Sequence, residues 1–408
     1  MTTNTTFNKT LKTLSLIILA AISTLASDDP TSLPQSTFNA GYSFNSGLAK
    51  IRINNFYGFI DKKGSLIIPC KYQYATDFKE GTAIVRVNQK YGIILSNGNV
   101  LVEPKYDFIE TFNNGLALFK KDGKFGYLNS YGDEVIPNSF EFAMSFEGDY
   151  AVFNKEGKSG YINNKGKVVI PAEYEFAMNF TEGLAPVFSN GKWGYINEKG
   201  KVAIDYTYDF ASNFKEGKAT VRLEGKAYVI DKKGNQVSKE SFDNVSEFRH
   251  DHALFNKGNV FGILHSSGII KVNNLSQIMQ SENNLFAFKR NNHWGFINQN
   301  GKEVVAPVYT KVGDFKEGLA KVQRGDKYGF INAEGIVVVP IKYDSAENFS
   351  DGVASVRSGN TYLFINTFGA ETLALQLDAT SVPEKILVKI NNHQMVFKDG
   401  TLTASSKN

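Results

Sequence analysis

Short stretches in which apolar and polar residues alternate recur along the whole chain. Two examples are residues 83–87 (Ala-Ile-Val-Arg-Val) and residues 320–322 (Ala-Lys-Val). Alternation with a period of two residues is typical of a half-buried strand. The chain also contains 32 Phe and 19 Tyr, and aromatic residues favour strands. We therefore predict an all-β protein, with no long amphipathic helix beyond Ala26.

This strand pattern repeats at a fixed interval. Glycines are evenly spaced at positions 58, 92, 126, 160 and 194, and the column continues through positions 262, 295 and 329 with a single one-residue slip between 262 and 295. A fixed period of roughly 34 residues indicates one supersecondary unit copied about ten times. Each copy buries its apolar face against its neighbours, so the array grows by stacking.

The residue pattern of each copy predicts three strands. The alternating strand follows a Phe-x-x-Gly element, such as Phe78 to Gly81, and a second strand starts at the aromatic-Gly pair. A turn of the form Asn/Asp-x-x-Gly, such as residues 61–64, then leads to a third strand, and its glycine fits the left-handed position of a type I turn. This turn glycine is present in all ten copies, as a conformational requirement predicts.

Two further features of the unit carry predictions. Proline follows the third strand in several copies, which indicates a strand end because proline cannot donate to the ladder; these are Pro69, Pro137, Pro171 and Pro340. The last segment has an aromatic-x-x-small-x-x-Phe spacing, as in Tyr72, Ala75 and Phe78. That spacing favours one helical or 3₁₀ turn.

The glycine after the aromatic residue has a different explanation from the turn glycine. Tyr228 and Leu363 occupy its column, and a position that needs positive φ rarely accepts a bulky residue. We therefore predict that this glycine is small for packing, because a neighbouring ring lies over a bare strand.

For the overall shape we predict an open β-solenoid or superhelix of three-stranded antiparallel repeats. A propeller blade usually has four strands, and ten copies exceed the usual number of blades. A closed, propeller-like arrangement is the alternative. Asp205, Lys239 and residues 273–284 replace the usual residues, so we expect the array to open first between residues 235 and 290.

Two copies keep a Lys/His-Trp-Gly-aromatic-Ile-Asn motif, at residues 192–197 and 293–298. These motifs resemble WG (KWG) repeats, and the resemblance covers residues 44–372, continuing in worn form toward the C-terminus. It implies tandem β-rich repeats in bacterial proteins, often exported, with no general catalytic activity and no set of site residues to transfer.

The N-terminus differs from the array. Lys9 and Lys12 precede an uncharged, mostly apolar run that ends near Ala26, a pattern typical of a secretory signal peptide. An uncleaved anchor is the alternative. We predict a signal peptide at residues 1–26, a linker at 27–43, about ten repeats at 44–372, and a degenerate C-terminal repeat or cap with a tail at 373–408. The protein is predicted to be exported to the periplasm, cell surface or medium, with no membrane span after cleavage.

Charge argues against one class of partner, and cysteine content argues against an internal disulfide. The net charge of +4 falls to +2 without Lys9 and Lys12, which gives no support to nucleic-acid binding. An exported chain with Cys70 as its one cysteine has no internal disulfide. We interpret Cys70 as a bystander.

The sequence offers few candidate catalytic or metal-ligating residues. Residues 249–252 (Arg-His-Asp-His) could offer metal ligands, but a worn Phe-x-x-Gly element explains them better. Glu80, Glu182, Glu216 and Glu317 share one column, which we interpret as a solvated row and not as a paired acid–base site. No nucleophile elbow, Walker loop or dinucleotide motif is present. We predict no catalytic residue, metal site or cofactor, and no enzyme.

The aromatic column has two interpretations. Packing in the core is the favoured one, and a platform that stacks on sugar faces is the alternative. The candidate platform residues are Tyr57, Tyr91, Phe125, Trp193, Trp294 and Tyr328. The predicted function is that of an exported, monomeric, non-enzymatic scaffold that binds an unknown protein partner. The alternative is a module that binds a cell-wall or cell-surface glycan through the aromatic column.

Overall fold

The structure is a computed structural model. It describes residues 42–377 except 54, 239, 266–267 and 282–283, and also residues 38–39, 386–390, 393–398 and 401–404. The predicted signal peptide and most of the predicted linker lie outside the described residues. Within the described part of the chain, all regular structure is strand, which confirms the all-β prediction. No helix capable of crossing a bilayer occurs there.

The strands form ten antiparallel sheets, called blades 1 to 10 in chain order. Blade 1 contains β1 (Phe38–Asn39), β2 (Phe44–Asn45), β3 (Leu48–Ile53), β4 (Phe56–Asp61) and β5 (Leu66–Tyr72). Blade 2 contains β6 (Tyr74–Ala75), β7 (Thr82–Val87), β8 (Lys90–Leu95) and β9 (Val100–Tyr106). Blade 3 contains β10 (Phe108–Ile109), β11 (Leu116–Lys121), β12 (Lys124–Asn129) and β13 (Glu134–Phe140). Blade 4 contains β14 (Phe142–Ala143), β15 (Tyr150–Lys155), β16 (Lys158–Asn163) and β17 (Val168–Tyr174). Blade 5 contains β18 (Phe176–Ala177), β19 (Leu184–Ser189), β20 (Lys192–Asn197) and β21 (Val202–Tyr208).

The second half follows the same plan with local departures. Blade 6 contains β22 (Phe210–Ala211), β23 (Lys218–Leu223) and β24 (Lys226–Asp231). Blade 7 contains β25 (Asn244–Val245), β26 (His252–Lys257), β27 (Val260–His265) and β28 (Gly268–Val272). Blade 8 contains β29 (Gln277–Gln280), β30 (Leu285–Arg290), β31 (His293–Asn298) and β32 (Glu303–Tyr309). Blade 9 contains β33 (Lys311–Lys316), β34 (Leu319–Arg324), β35 (Lys327–Ile331) and β36 (Val337–Tyr343). Blade 10 contains β37 (Ser345–Ala346), β38 (Val353–Ser358), β39 (Thr361–Asn366), β40 (Glu371–Leu377), β41 (Ile386–Ile390), β42 (His393–Lys398) and β43 (Thr401–Ala404).

Blade 5 shows the regular unit, with sheet order β18-β19-β20-β21. Asn190 and Gly191, with φ of 53° and 79°, connect its two central strands, and two positive-φ residues form the primed turn that suits a hairpin. In the next turn Gly200 has φ of 73°, and Asn197 Oδ1 accepts hydrogen bonds from two backbone N–H groups at 3.0 and 3.1 Å. The predicted turn is therefore confirmed. Nine of the ten turn glycines have φ between 73° and 88°, and Gly268 begins β28 instead.

The prediction of three strands and a helical turn per repeat is wrong. The segment predicted as a helical turn supplies a short first strand, since Phe176 pairs with Phe188 and Ala177 pairs with Val187. Tyr174 still belongs to the previous sheet. The three-residue spacing therefore reflects the bend at which the chain passes from one blade to the next.

The glycine after the aromatic residue makes room for a bulge in the fourth strand. Trp193 pairs with Tyr208 and Tyr195 pairs with Ile204, so three residues of β21 lie opposite Gly194 alone. A Cβ on Gly194 would lie 2.7 Å from the carbonyl oxygen of Ile204 and 2.9 Å from the ring of Tyr206. The packing explanation is thus confirmed, but the nearest neighbour is the backbone of the bulged strand, and a ring adds to it only in some blades.

The four prolines occupy this same region of the fourth strand. Pro171, for example, lies inside β17, between the paired residues Ile170 and Tyr174. The prediction that proline ends the strand is therefore wrong. Bulged residues lie outside the regular ladder, so the missing N–H does no harm there.

The array closes on itself, which overturns the predicted open solenoid. Between neighbouring blades, the ring that follows the column glycine packs on the Phe of the next Phe-x-x-Gly element, as Tyr195 does on Phe214 with centroids 4.9 Å apart. Phe364 of blade 10 packs on Phe44 of blade 1 in the same way, at 5.1 Å. The molecule is a closed propeller of ten blades, and the last seam repeats the internal seams.

The carboxylates of the predicted solvated row also cross these seams. Glu182 of blade 5 accepts a hydrogen bond from the backbone N–H of Gly217 in blade 6 at 3.0 Å. At the closing seam Asp351 accepts one from the N–H of Gly47 at 2.6 Å. The row is exposed, as predicted, yet it also links one blade to the next.

The core lies between blades and not within one blade. One buried cluster, for example, joins Tyr195 and Ile204 of blade 5 to Phe214 and Val221 of blade 6. The cluster at the closing seam joins Phe44 to Phe364. Such shared cores explain why a single copy could not fold alone.

Candidate functional site

The first repeated surface is a row of paired residues that crosses each blade. In blade 2, Tyr74 pairs with Arg86, Arg86 with Tyr91, and Tyr91 with Tyr106. Directly paired residues point to the same face of a sheet. We call this set and its equivalents in other blades the aromatic row, and its third position is the predicted platform column.

The rings of the platform column pack against other rings. Trp193 lies between Phe176 and Phe210, with centroids 5.7 and 6.3 Å away, and Tyr91 packs on Tyr74 at 6.1 Å. Trp193 is 7% exposed and Trp294 is 9% exposed. The other four candidates are half-buried: Tyr57, Tyr91, Phe125 and Tyr328. The structure places these six residues at equivalent positions on separate blades and does not gather them into one site.

Cationic side chains accompany several of these rings. The Arg86 guanidinium lies 5.9 Å from the Tyr91 centroid, and Lys120 Nζ lies 5.2 Å from the Phe125 centroid. Such cation–π contacts stabilise both partners. Burial, helped by the neighbouring Tyr57, raises the pKa of Tyr42 to about 12, so this phenol stays neutral. The geometry is that of an ordered packing layer.

Sequence reasoning missed a Lys–Asp contact that supports the Lys-Trp-Gly motif. Lys192 Nζ lies 2.6 Å from Asp209 Oδ1, and Asp209 Oδ2 accepts the Glu224 N–H of the next blade at 2.8 Å. The hydrogen bond from Lys192 lowers the pKa of Asp209. Lys90 and Asp107 form the same contact. The two pairs have the same separation along the chain, and that constant separation was the signal available in the sequence.

The histidine cluster has the geometry of a worn turn. Arg249 pairs with His252 around His250 and Asp251, whose φ angles are 50° and 62°. His265 Nε2 lies 3.1 Å from Asp251 Oδ2. Within the described residues no group of three or more potential metal ligands comes together. The pairing of Arg249 with His252 and the positive φ angles between them agree with the interpretation of residues 249–252 as a worn Phe-x-x-Gly element.

Cys70 is buried in β5 at 1% exposure. Burial raises the pKa of its thiol to about 12, which keeps it protonated and unreactive at neutral pH.

The second repeated surface lies on the fourth strands. Most of these strands begin with β-branched residues that remain exposed, although such residues are usually buried; they include Ile67, Val100, Val135, Val168, Val169, Val202, Val304 and Val337. In blades 2 to 5, 8 and 9 the fourth strand is also the last strand of its described sheet. The sequence contained these residues, but it could not show that their side chains remain uncovered in the folded ring.

A closed propeller built from ten copies of one repeated unit defines the class of the protein. A family profile described as "WG containing repeat" matches residues 57–91, 91–125, 125–158, 160–193, 193–226, 294–328 and 328–362. These matches span more than half of the 408 residues, so the chain belongs to the WG repeat family and the predicted resemblance is confirmed.

Comparison with solved structures finds matches at low identity. A eukaryotic initiation factor shares 10% identity, with 72% of this chain and 96% of that chain covered and a TM-score of 0.48. BamB from Moraxella catarrhalis shares 9%, with 73% and 95% covered and a TM-score of 0.33. The extracellular domain of a putative one-component system from B. thetaiotaomicron shares 8%, with 93% and 73% covered and a TM-score of 0.25. No curated protein matches the sequence.

Proposed function

We propose that this WG repeat propeller is exported and acts as a non-enzymatic scaffold that binds a protein partner. The observation that carries the proposal is the exposed β-branched residues on successive fourth strands. A contiguous exposed apolar patch is typical of an interaction surface, and these residues recur at the same position of successive blades. The repeated interior positions, in contrast, serve packing between blades.

Export is supported by the sequence of residues 1–26. Expression of the tagged chain in its native host, followed by N-terminal sequencing of the mature protein, tests this part. We expect a mature N-terminus near residue 27 and recovery from the envelope or medium. A full-length chain in the cytoplasm would contradict export.

The scaffold role is tested by affinity capture from the envelope fraction with the intact chain. A variant with Lys in place of Val at exposed fourth-strand positions serves as the control. We expect at least one protein to be enriched with the wild type and lost with the variant. Equal capture by both chains, or none, would contradict the role of this surface.

The glycan alternative requires accessible ring faces. The low exposure of Trp193 and Trp294 argues against stacking at these two positions. We expect acrylamide to quench the fluorescence of both tryptophans weakly, with no change when a cell-wall glycan is added. Strong quenching that the glycan suppresses would favour the glycan module over the protein scaffold.

A further inference from the structure

One copy of the fourth-strand surface is already occupied by the chain itself. In blade 10 the sheet continues beyond β40, because Leu375 pairs with Ile390 of β41, and β42 and β43 follow. Strand β43 lies against β5, the fourth strand of blade 1. The outer edge of β40, which pairs directly with β39 where regular fourth strands bulge, therefore accepts an added antiparallel strand. The added sheet reaches the fourth strand of the next blade.

The burial of β5, against which β43 lies, differs from that of an uncovered fourth strand. In β5, Leu66 is half-buried and Cys70 is buried. Their equivalents in β17 are Val168, which is exposed, and Ala172, which is half-buried. The same face is thus covered on blade 1 and open on blade 4.

On the adjoining blades 4 and 5 the open face combines exposed valines with exposed lysines. Val168, Val169 and Val202 are 46%, 38% and 49% exposed. Four exposed lysines flank these valines on the turns that lead into the strands, at positions 165, 167, 199 and 201. Among the described residues, no carboxylate forms an ion pair with any of these four ammonium groups. We call the three valines and four lysines the Val–Lys patch.

We propose that the Val–Lys patch binds an extended segment of a protein partner, in which apolar and polar residues alternate and acidic residues lie at the end that meets the lysine turns. The proposal rests on the proposed scaffold function and names the chemistry of its partner. An extended peptide that adds to a sheet edge gains main-chain hydrogen bonds, while alternate side chains contact the face. The valines would contact the apolar side chains, and the lysines would pair with the acidic end.

Selection from a displayed library of random peptides about 12 residues long tests this assignment with the intact chain as target. We expect the enriched peptides to share alternating apolar residues and an acidic end. The double variant Val168→Lys/Val202→Lys should weaken the selected peptides about tenfold or more, equivalent to about 1.4 kcal/mol or more. Since these side chains are exposed, circular dichroism and melting of the variant should match the wild type.

Two further variants sharpen the test. Lys165→Glu/Lys199→Glu should reverse the charge preference, so that basic-ended versions of the selected peptides bind more tightly than acidic-ended ones. Val100→Lys in blade 2 is the matched control, because its turn carries Ser96 and Asn97 in place of lysines, and it should leave peptide binding unchanged.

Several results would overturn the assignment: no enrichment, enriched peptides without the alternating pattern, or binding that is insensitive to the double valine variant. Capture of a native protein that survives Val168→Lys/Val202→Lys would leave the scaffold function standing and remove this site. Failure of export or of all protein capture would instead remove the scaffold function.

Discussion

Blades 5 and 6 adjoin each other and have repeats of equal length, yet of the two only blade 5 has a complete fourth strand. In blade 5, β21 bulges over Gly194 and Ile204 fills the core beneath it. In blade 6, Tyr228 replaces the glycine and Ser238 replaces the isoleucine. The sheet ends at β24, and the next segment keeps only two isolated bridges among its described residues, Ala227 to Phe242 and Ile230 to Gln236.

The seam beyond blade 6 nevertheless persists. Phe242 is fully buried and packs on Phe255 of blade 7, with ring centroids 4.7 Å apart. The regular equivalent, Tyr106 on Phe119, has the same separation. Packing between blades therefore persists where pairing within a blade is reduced to isolated bridges.

The largest expected effect concerns packing between blades. Tyr195 is fully buried in the seam between blades 5 and 6 and donates a hydrogen bond to the Ser212 carbonyl oxygen at 2.8 Å. Tyr195→Ala should lower the free energy of unfolding by about 3–5 kcal/mol. The equivalent Val229→Ala in blade 6 should cost less, because the deleted side chain is smaller. Urea unfolding measures both, and a larger loss for Val229→Ala would contradict the account.

A bulge-specific variant should have the next largest effect. Gly194→Ala places a methyl group against the backbone of β21, which cannot yield without losing its pairing. We expect a loss of about 1–3 kcal/mol, with faster amide exchange in residues 202–208. Tyr228→Phe is the control, since the column already holds a ring in blade 6, and it should be nearly neutral. Unchanged exchange in β21 after Gly194→Ala would disprove the role of the bulge.

The comparison also locates the first opening of the ring. Blade 6 lacks a regular fourth strand, so amides in residues 235–290 should exchange faster than those of β18–β21. Ser238→Ile restores the apolar residue at a buried position and should stabilise the protein by about 1 kcal/mol, after loss of the Ser238–Glu240 hydrogen bond. It should also slow exchange near residue 238. Uniform protection across the wild-type ring would contradict this order of opening.

The smallest expected effect concerns the Lys192–Asp209 contact. This pair is largely exposed, so Lys192→Met should cost only about 0.2–1 kcal/mol at neutral pH. The pKa of Asp209 is lowered in the folded state, so its contribution is present above the unfolded pKa and is lost as pH falls through the folded value. The difference between wild type and variant should therefore disappear in acid. A difference that persists below the pKa of Asp209 would show that lost packing, and not charge, is responsible.

The sequence predicted the elements that depend on local chemistry. The fixed period, the hairpin turns and the family follow from positions such as Asn197, Gly200 and Trp193. Gly194 was correctly assigned a packing role because Tyr228 and Leu363 share its column. At Leu363 the structure shows direct pairing with Ala374, where regular blades have the bulge.

The sequence-based predictions are wrong where a contact between distant parts of the chain determines the structure. The first strand is only two residues long, as in Phe176–Ala177, and pairing with β19 makes it a strand, since two residues carry no periodicity. Ring closure depends on the angle between successive blades, which accumulates over the array and has no signature in one repeat. For the same reason the sequence could not show which platform rings are buried or which fourth strands remain open.

Closure of the ring is tested most directly by a distance across the last seam. Spin labels at Phe56→Cys and Thr361→Cys occupy equivalent positions on blades 1 and 10, and Lys124→Cys with Lys158→Cys is the matched internal pair on blades 3 and 4. The buried thiol of Cys70 should not compete for label. We expect double electron–electron resonance to give matching, narrow distance distributions for the two pairs. A much longer or broad distribution across blades 1 and 10, with the internal pair unchanged, would contradict a closed propeller.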